Sequence, residues 1–129
     1  MDVSSPKAVI GVIDDDELVR DSLKALLETR HYAVIDFGSG REFLDTEASG
    51  KAGGRGGIAC LLLDIHMPDM TGMELLTLLR RRGDRTPVIL ITGRGDAALQ
   101  SQAQALGAPL LDKPVASPAL FAAIEKALA

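Results

Sequence analysis

Short apolar runs and amphipathic stretches alternate along the whole chain. Ala8 to Ile13 is apolar apart from Gly11, rich in β-branched residues, and stops at three aspartates, which predicts a buried strand. From Glu17 to Arg30 the apolar positions Leu18, Val19, Leu23, Leu26 and Leu27 recur at helical spacing, with Arg20, Asp21, Lys24 and Glu28 between them. Tyr32 to Phe37 predicts a second strand. Ser39-Gly40-Arg41-Glu42 has the capping-box pattern, so a short helix should start there and bury Phe43 and Leu44. Ser49 to Gly57 is rich in glycine and predicts a flexible surface loop. Ile58 to Ile65 reads as a third, fully buried strand. Thr71-Gly72-Met73-Glu74 is another capping-box pattern, opening a helix through Arg82 that carries Leu75, Leu76, Leu78 and Leu79. Pro87 to Ile91 is a fourth strand. Asp96 can cap a helix running to Leu106, and Gly107 suits the left-handed residue that follows it. Leu110 and Leu111 form a short fifth strand. Ser117-Pro118 predicts an N-cap followed by proline at the first helical position, and the last helix should bury Leu120, Phe121, Ile124 and Leu128.

Five β/α units of this kind imply a parallel sheet covered on both faces by right-handed crossovers. The chain has 129 residues, enough for one domain with a real core but not for two. Residues 7–129 are expected to form that domain, and 1–6 a loose polar lead-in. With only three Phe and one Tyr, the core must be built from Leu, Ile, Val and Ala.

Charge and composition remove several functions. The net charge of −4 argues against non-specific DNA binding, which needs a basic surface to displace counterions. Arg80-Arg81-Arg82 falls in the last turn of a predicted helix and suits its dipole. The single cysteine, Cys60, lies inside an apolar run without metal-ligand spacing and reads as a small buried core residue. No secretory signal is visible and no apolar run approaches the ~20 residues needed to span a bilayer, so a cytoplasmic location without membrane contact is expected. The dinucleotide fingerprint G-x-G-x-x-G is missing after strand one, and the glycine-rich segment is too irregular for a phosphate-binding loop.

Four polar pieces each follow a predicted strand: Asp14-Asp15-Asp16, Asp64-Ile65-His66-Met67-Pro68, Thr92-Gly93 and Lys113-Pro114. They should therefore meet at the carboxyl edge of the sheet, where open α/β folds bind ligands. Converging carboxylates repel one another unless a cation joins them. Magnesium fits, because it takes oxygen ligands and keeps positions for water and phosphate. Asp14, Asp15 and Asp64 would supply its ligands, completed by a backbone carbonyl such as that of His66. Asp16, one residue further on, is better placed to cap the first helix. Thr92 and Lys113 would add a hydroxyl and an ammonium suited to phosphoryl oxygens.

As a set these motifs resemble the receiver domains of two-component response regulators, over essentially residues 7 to 129. The carrying residues are the Asp pair after strand one, Asp-x-x-Met-Pro-x-x-x-Gly from Asp64 to Gly72, Thr-Gly after strand four and Lys-Pro after strand five. Val12 to Arg20 and Ile91 to Asp96 are most similar to receivers of the FixJ type. The resemblance implies a doubly wound, flavodoxin-like α/β fold with strand order 2-1-3-4-5, as in the chemotaxis regulators. It implies Asp64 as phosphoacceptor from a phosphohistidine on a sensor histidine kinase or phosphotransfer protein. It also implies Mg²⁺ (with Mn²⁺ as a substitute) on Asp14 and Asp15, Asp15 more directly, Thr92 moving to bind the phosphoryl group, and Lys113 pairing with it. In the family the Lys-Pro bond is often cis. The expected outcome is a switch and not an enzyme on a separate substrate. Its signal would pass to a downstream protein, an output domain or a second copy through the surface of helix four, strand five and helix five.

Two features depart from or tune that pattern. Receivers usually carry Tyr or Phe three residues before the lysine, where this chain has Leu110: either a harmless hydrophobic swap of the kind cores tolerate, or a change that weakens the output signal or sends it by another route. His66 and Arg94 stand two residues after the phosphoacceptor and the threonine, at positions that flank the phosphoryl group and tune its lifetime. Two alternatives remain at this stage. A Mg²⁺-dependent phosphohydrolase is disfavoured because Asp64-Ile65-His66 is not D-x-D and no insertion is long enough for a cap. A phosphorylation-independent binding module is disfavoured by the intact Asp, Thr and Lys set, although Leu110 is compatible with it.

Overall fold

Five strands alternate with five helices in a computed structural model that describes residues 7–49 and 57–129. The strands are β1 (Val9–Ile13), β2 (Ala33–Phe37), β3 (Cys60–Asp64), β4 (Val88–Thr92) and β5 (Leu110–Asp112). The helices are α1 (Glu17–Glu28), α2 (Gly40–Ser49), α3 (Gly72–Arg81), α4 (Ala97–Ala105) and α5 (Ser117–Leu128). Every strand pair is parallel, in the order β2-β1-β3-β4-β5. The expected lead-in at 1–6 and most of the expected glycine-rich loop, 50–56, lie outside the described residues.

Alternation along the strands divides the core between the two sheet faces. Ile13, Leu61, Leu63, Val88 and Leu90 meet Phe43 of α2, Leu75, Leu76 and Leu79 of α3, and Ala103 of α4. Ile10, Val12, Leu62, Ile89 and Ile91 meet Leu23 and Leu27 of α1 and Leu120, Phe121 and Ile124 of α5. With both faces covered, β3 and β4 are buried at every position, which is why they read as continuous apolar runs.

Most helix starts follow the side chains that predicted them. Asp16 accepts from the Leu18 N–H and Asp96 from the Leu99 N–H. Thr71 and Glu74 exchange both bonds of a capping box. Gly107 adopts φ +71°, the left-handed turn expected after α4. Four details differ. Ser39 caps the Glu42 N–H, but Glu42 returns its carboxylate to the Gly38 N–H, one residue earlier than a full box requires. Ala116 is the N-cap of α5, without a side-chain bond, so Ser117 is the first helical residue and Pro118 the second. Leu18 is 76% exposed because it lies in line with Ser22 and Ala25, off the stripe made by Val19, Leu23 and Leu27. Leu128 is 37% exposed, being the last residue of α5 with no further turn to cover it.

Cys60 is fully buried, and burial pushes its thiol up to about 12. The thiolate is the reactive form, so a thiol reagent near pH 8 should leave the folded protein unlabelled and modify it only in denaturant. Rapid labelling of the folded chain would show that α1 and α5 do not stay closed over Cys60.

Candidate functional site

Register assembles the polar strand ends. Ile13 lies opposite Leu63, Asp64 opposite Ile91, and Thr92 opposite Asp112. Asp14 and Asp64 therefore begin the same carboxyl edge on adjacent strands, and Lys113 follows one residue beyond the last β4–β5 pair. Strand alternation sends Asp14, Asp64 and Lys113 to the face of Val12, Leu62 and Leu111, which packs on α1 and α5. These residues, with Asp15, Asp16, His66, Gly93 and Arg94, line an open cleft of about 560 Å³.

The cleft floor holds two buried carboxylates and one cation. Asp14 and Asp64 are 2% and 3% exposed. Lys113 Nζ donates to Asp14 Oδ2 at 3.2 Å and lies 3.3 Å from Asp64 Oδ1. Asp14 Oδ1 accepts the Asp16 N–H at 2.8 Å. Asp64 Oδ1 is close to the ammonium but outside hydrogen-bond geometry, a buried oxygen without a hydrogen-bond partner. Burial, reinforced by the Asp14 charge, raises the Asp64 pKa above the usual carboxylate range, against the opposing pull of Lys113. Burial alone would lower the Lys113 pKa, but the Asp14 hydrogen bond and the two carboxylate charges more than reverse it, and the net shift is upward. The peptide bond from Lys113 to Pro114 is cis.

Asp14, Asp15 and Asp64 each bring a carboxylate oxygen within 4.8 Å of the others, with Asp15 exposed between two buried partners. An all-oxygen donor set with one orphaned oxygen and an open solvent side fits a hard divalent cation such as Mg²⁺, which keeps several waters. Such an ion would also relieve the carboxylate repulsion that Lys113 only partly offsets.

Thr92 is arranged differently from Lys113. Its side chain is fully buried and does not line the cleft. Register puts it on the opposite sheet face, the face of Leu90 and Leu110. Its Oγ1 accepts the Arg94 N–H at 3.0 Å and lies 3.0 Å from His66 Nε2. Arg94 is exposed and lines the cleft, and Leu110 is half-buried against the core beside Leu90.

The supporting contacts of two residues were not evident from the sequence. Arg20 on α1 donates from Nη1 to the Asp14 carbonyl at 2.7 Å and from Nε to Asp36 Oδ2 at 3.0 Å. It ties the β1 end to the β2 end and holds the aspartate loop in place. Its only sequence signal was a cation four residues beyond the Asp16 cap. Gly72 lies directly beneath Asp64: a Cβ there would come within 2.4 Å of the Asp64 carbonyl oxygen. Any side chain at that position would collide with the backbone that presents the carboxylate.

Comparison with known proteins assigns the chain to a family. A family model for the response regulator receiver domain matches residues 10–125. The chain belongs to that family. The transcriptional regulatory protein FixJ of Azorhizobium caulinodans is 42% identical over 120 residues, covering 92% of this chain and 54% of FixJ. The structure of the response regulator StyR superposes with a TM-score of 0.83 at 35% identity, over 95% of this chain and 59% of that one. Chemotaxis protein CheY4 of Vibrio cholerae superposes with a TM-score of 0.79 over 94% of this chain and 98% of that one. At 24% identity this last likeness concerns the fold. The chain spans about half the length of the curated relatives it matches. Receiver domains are signalling switches of bacterial two-component systems and generally bind Mg²⁺. Among the described residues, no helix is long and apolar enough to cross a membrane.

Proposed function

We propose that residues 7–129 form a phosphoryl-accepting receiver in which Asp64 is the acceptor. The observation that carries this reading is the buried Oδ1 of Asp64, without a hydrogen-bond partner, at the floor of an open cleft between a second carboxylate and an ammonium. The donor would be a phosphohistidine on a sensor histidine kinase or phosphotransfer protein. An Asp64 oxygen attacks phosphorus, the P–N bond breaks, and the electron pair leaves with the imidazole nitrogen, which then takes a proton. Asp14, Asp15, Asp64 and the His66 carbonyl would hold Mg²⁺ (or Mn²⁺), whose chemistry is to neutralise charge on the phosphoryl oxygens.

The chain's own residues do the rest. Lys113 stands within ion-pair distance of both buried carboxylates and would shift toward a phosphoryl oxygen as charge builds there. An aspartyl phosphate carries about two negative charges where the carboxylate carried one, and spreads them over three strong acceptor oxygens. That charge would draw Thr92 toward the cleft, with Gly93 and Arg94 following. The rearranged loop would alter the α4–β5–α5 face, where Leu110 replaces the usual aromatic, and with it the binding of a downstream protein, an output domain or a second copy. His66 and Arg94, both on the cleft wall, would govern how long the phosphoryl group lasts. In this reading the domain is a cytoplasmic switch that touches neither DNA nor membrane and does not act on a separate substrate.

The test is intact mass after incubation with acetyl phosphate. With Mg²⁺ the protein should gain one phosphoryl group, mapped by peptide analysis to Asp64, and with excess chelator it should gain none. No gain at any Mg²⁺ concentration would overturn the reading in favour of a module that binds partners unmodified.

A further inference from the structure

We propose that the His66 ring is a latch on Thr92, holding its hydroxyl out of the cleft until Asp64 is modified. The inference rests on Asp64 being the phosphoacceptor and concerns how the unmodified state is kept off. Its basis is a mismatch in the site. His66, Gly93 and Arg94 all line the cleft, yet Thr92 between them in space is fully buried and does not. The strand register turns Thr92 to the other sheet face, and the His66 ring meets it there with Nε2 3.0 Å from Oγ1.

The hydroxyl is engaged from two sides in that position. It offers one proton and two acceptor positions. The Arg94 N–H occupies one acceptor position. The ring takes the proton if Nε2 accepts, or the second acceptor position if Nε2 donates. In either tautomer the hydroxyl faces the imidazole. A phosphoryl oxygen on Asp64 needs that proton aimed into the cleft, so engagement requires the His66 bond to break and the side chain to turn. His66 itself is exposed, so its ring can swing into solvent when released. His66 is thus a positioning residue, and its bond sets the fraction of molecules ready to grip a phosphoryl group. Apparent affinity scales with that fraction.

The experiment compares wild type with His66→Phe, which keeps a ring but has no nitrogen, and His66→Ala, which removes the ring. His66 is exposed, so the fold does not depend on its ring, and circular dichroism checks this. Two readouts are used. Three-bond couplings to the Thr92 methyl in the unmodified protein should show one χ1 rotamer in wild type and an averaged one in both variants. Beryllium fluoride with Mg²⁺, a phosphoryl mimic that adds to carboxylates, should bind both variants about fivefold more tightly, the effect of one net hydrogen bond. The tightening should vanish in a Thr92→Val background, because no hydroxyl is left to release. Unchanged couplings, or equal tightening with and without the Thr92 hydroxyl, would overturn the latch. Failure of wild type to take up either beryllium fluoride or a phosphoryl group would instead sink the assignment of Asp64, while the couplings would still judge the contact.

Discussion

Asparagine in place of Asp64 should abolish phosphoryl uptake and, in the same protein, raise the stability of the fold. The two effects have one cause. The carboxylate is buried beside Asp14, one of its oxygens has no hydrogen-bond partner, and its pKa is raised by that burial. A folded-state pKa above the unfolded value means the native chain holds the Asp64 proton more tightly than the unfolded chain does. Stability therefore falls as pH rises from the ordinary carboxylate pKa through the raised folded value, and stays lower above it. The neutral amide escapes that penalty. At pH 7 without Mg²⁺ the variant should gain about 1 kcal/mol, roughly 4 °C in Tm, and the gain should shrink toward zero in acid. Lys113 keeps its bond to Asp14 in the variant, so no new unpaired charge offsets the gain. Added Mg²⁺ should stabilise wild type more than the variant. Intact mass and thermal melts across pH decide the matter. A phosphoryl group on the variant would remove Asp64 as acceptor, and a lower Tm at pH 7 would show that the buried carboxylate is not the strained group in the cleft.

The parts of this site that were legible in the sequence share a property: they depend on one element at a time. An apolar run that stops at Asp14, Asp64 or Lys113 announces a strand end, and strand ends in a parallel sheet share an edge. Caps such as Asp16, Thr71 and Asp96 act within one turn of helix. What could not be read depends on how elements are placed against each other. Thr92 was expected to point with Lys113 at a common spot, but its direction is set by the β3–β4 register, Asp64 opposite Ile91. A one-residue slip would have put it on the other face. Arg20 looked like a solvated position between apolar ones, because its partners, the Asp14 carbonyl and Asp36, lie on two different strands. Leu18 fitted the apolar count of its helix, yet α1 packs through Val19, Leu23 and Leu27 and leaves it outside.

Gly72→Ala is the substitution for which local propensity and packing predict opposite signs. Gly72 is the first residue of α3, and alanine is the better helix former, by up to about 1 kcal/mol in a helix interior. Packing opposes this. The added Cβ would lie 2.4 Å from the Asp64 carbonyl oxygen and 3.0 Å from both the Asp64 carbonyl carbon and the Ile65 Cα, all backbone atoms. Neither side yields easily. Asp64 ends a central, fully buried strand, and the start of α3 is held by the Thr71–Glu74 capping box and by the Gly72 N–H bond to the Ile65 carbonyl at 3.0 Å. Relief must come from moving the backbone, which should cost about 2 kcal/mol net and roughly 8 °C in Tm. The same movement displaces the Asp64 carboxylate from Lys113 and the acidic cluster. Since a misplacement of about 1 Å can cost on the order of 10²-fold in rate, phosphoryl uptake at saturating donor should fall at least ~10-fold. Gly93→Ala supplies the stability control: its Cβ meets nothing within 4 Å, and its Tm should stay within the change expected for about 0.5 kcal/mol. A Gly72→Ala protein as stable as wild type would mean that helix propensity wins, and that α3 can slide away from β3 without disturbing Asp64.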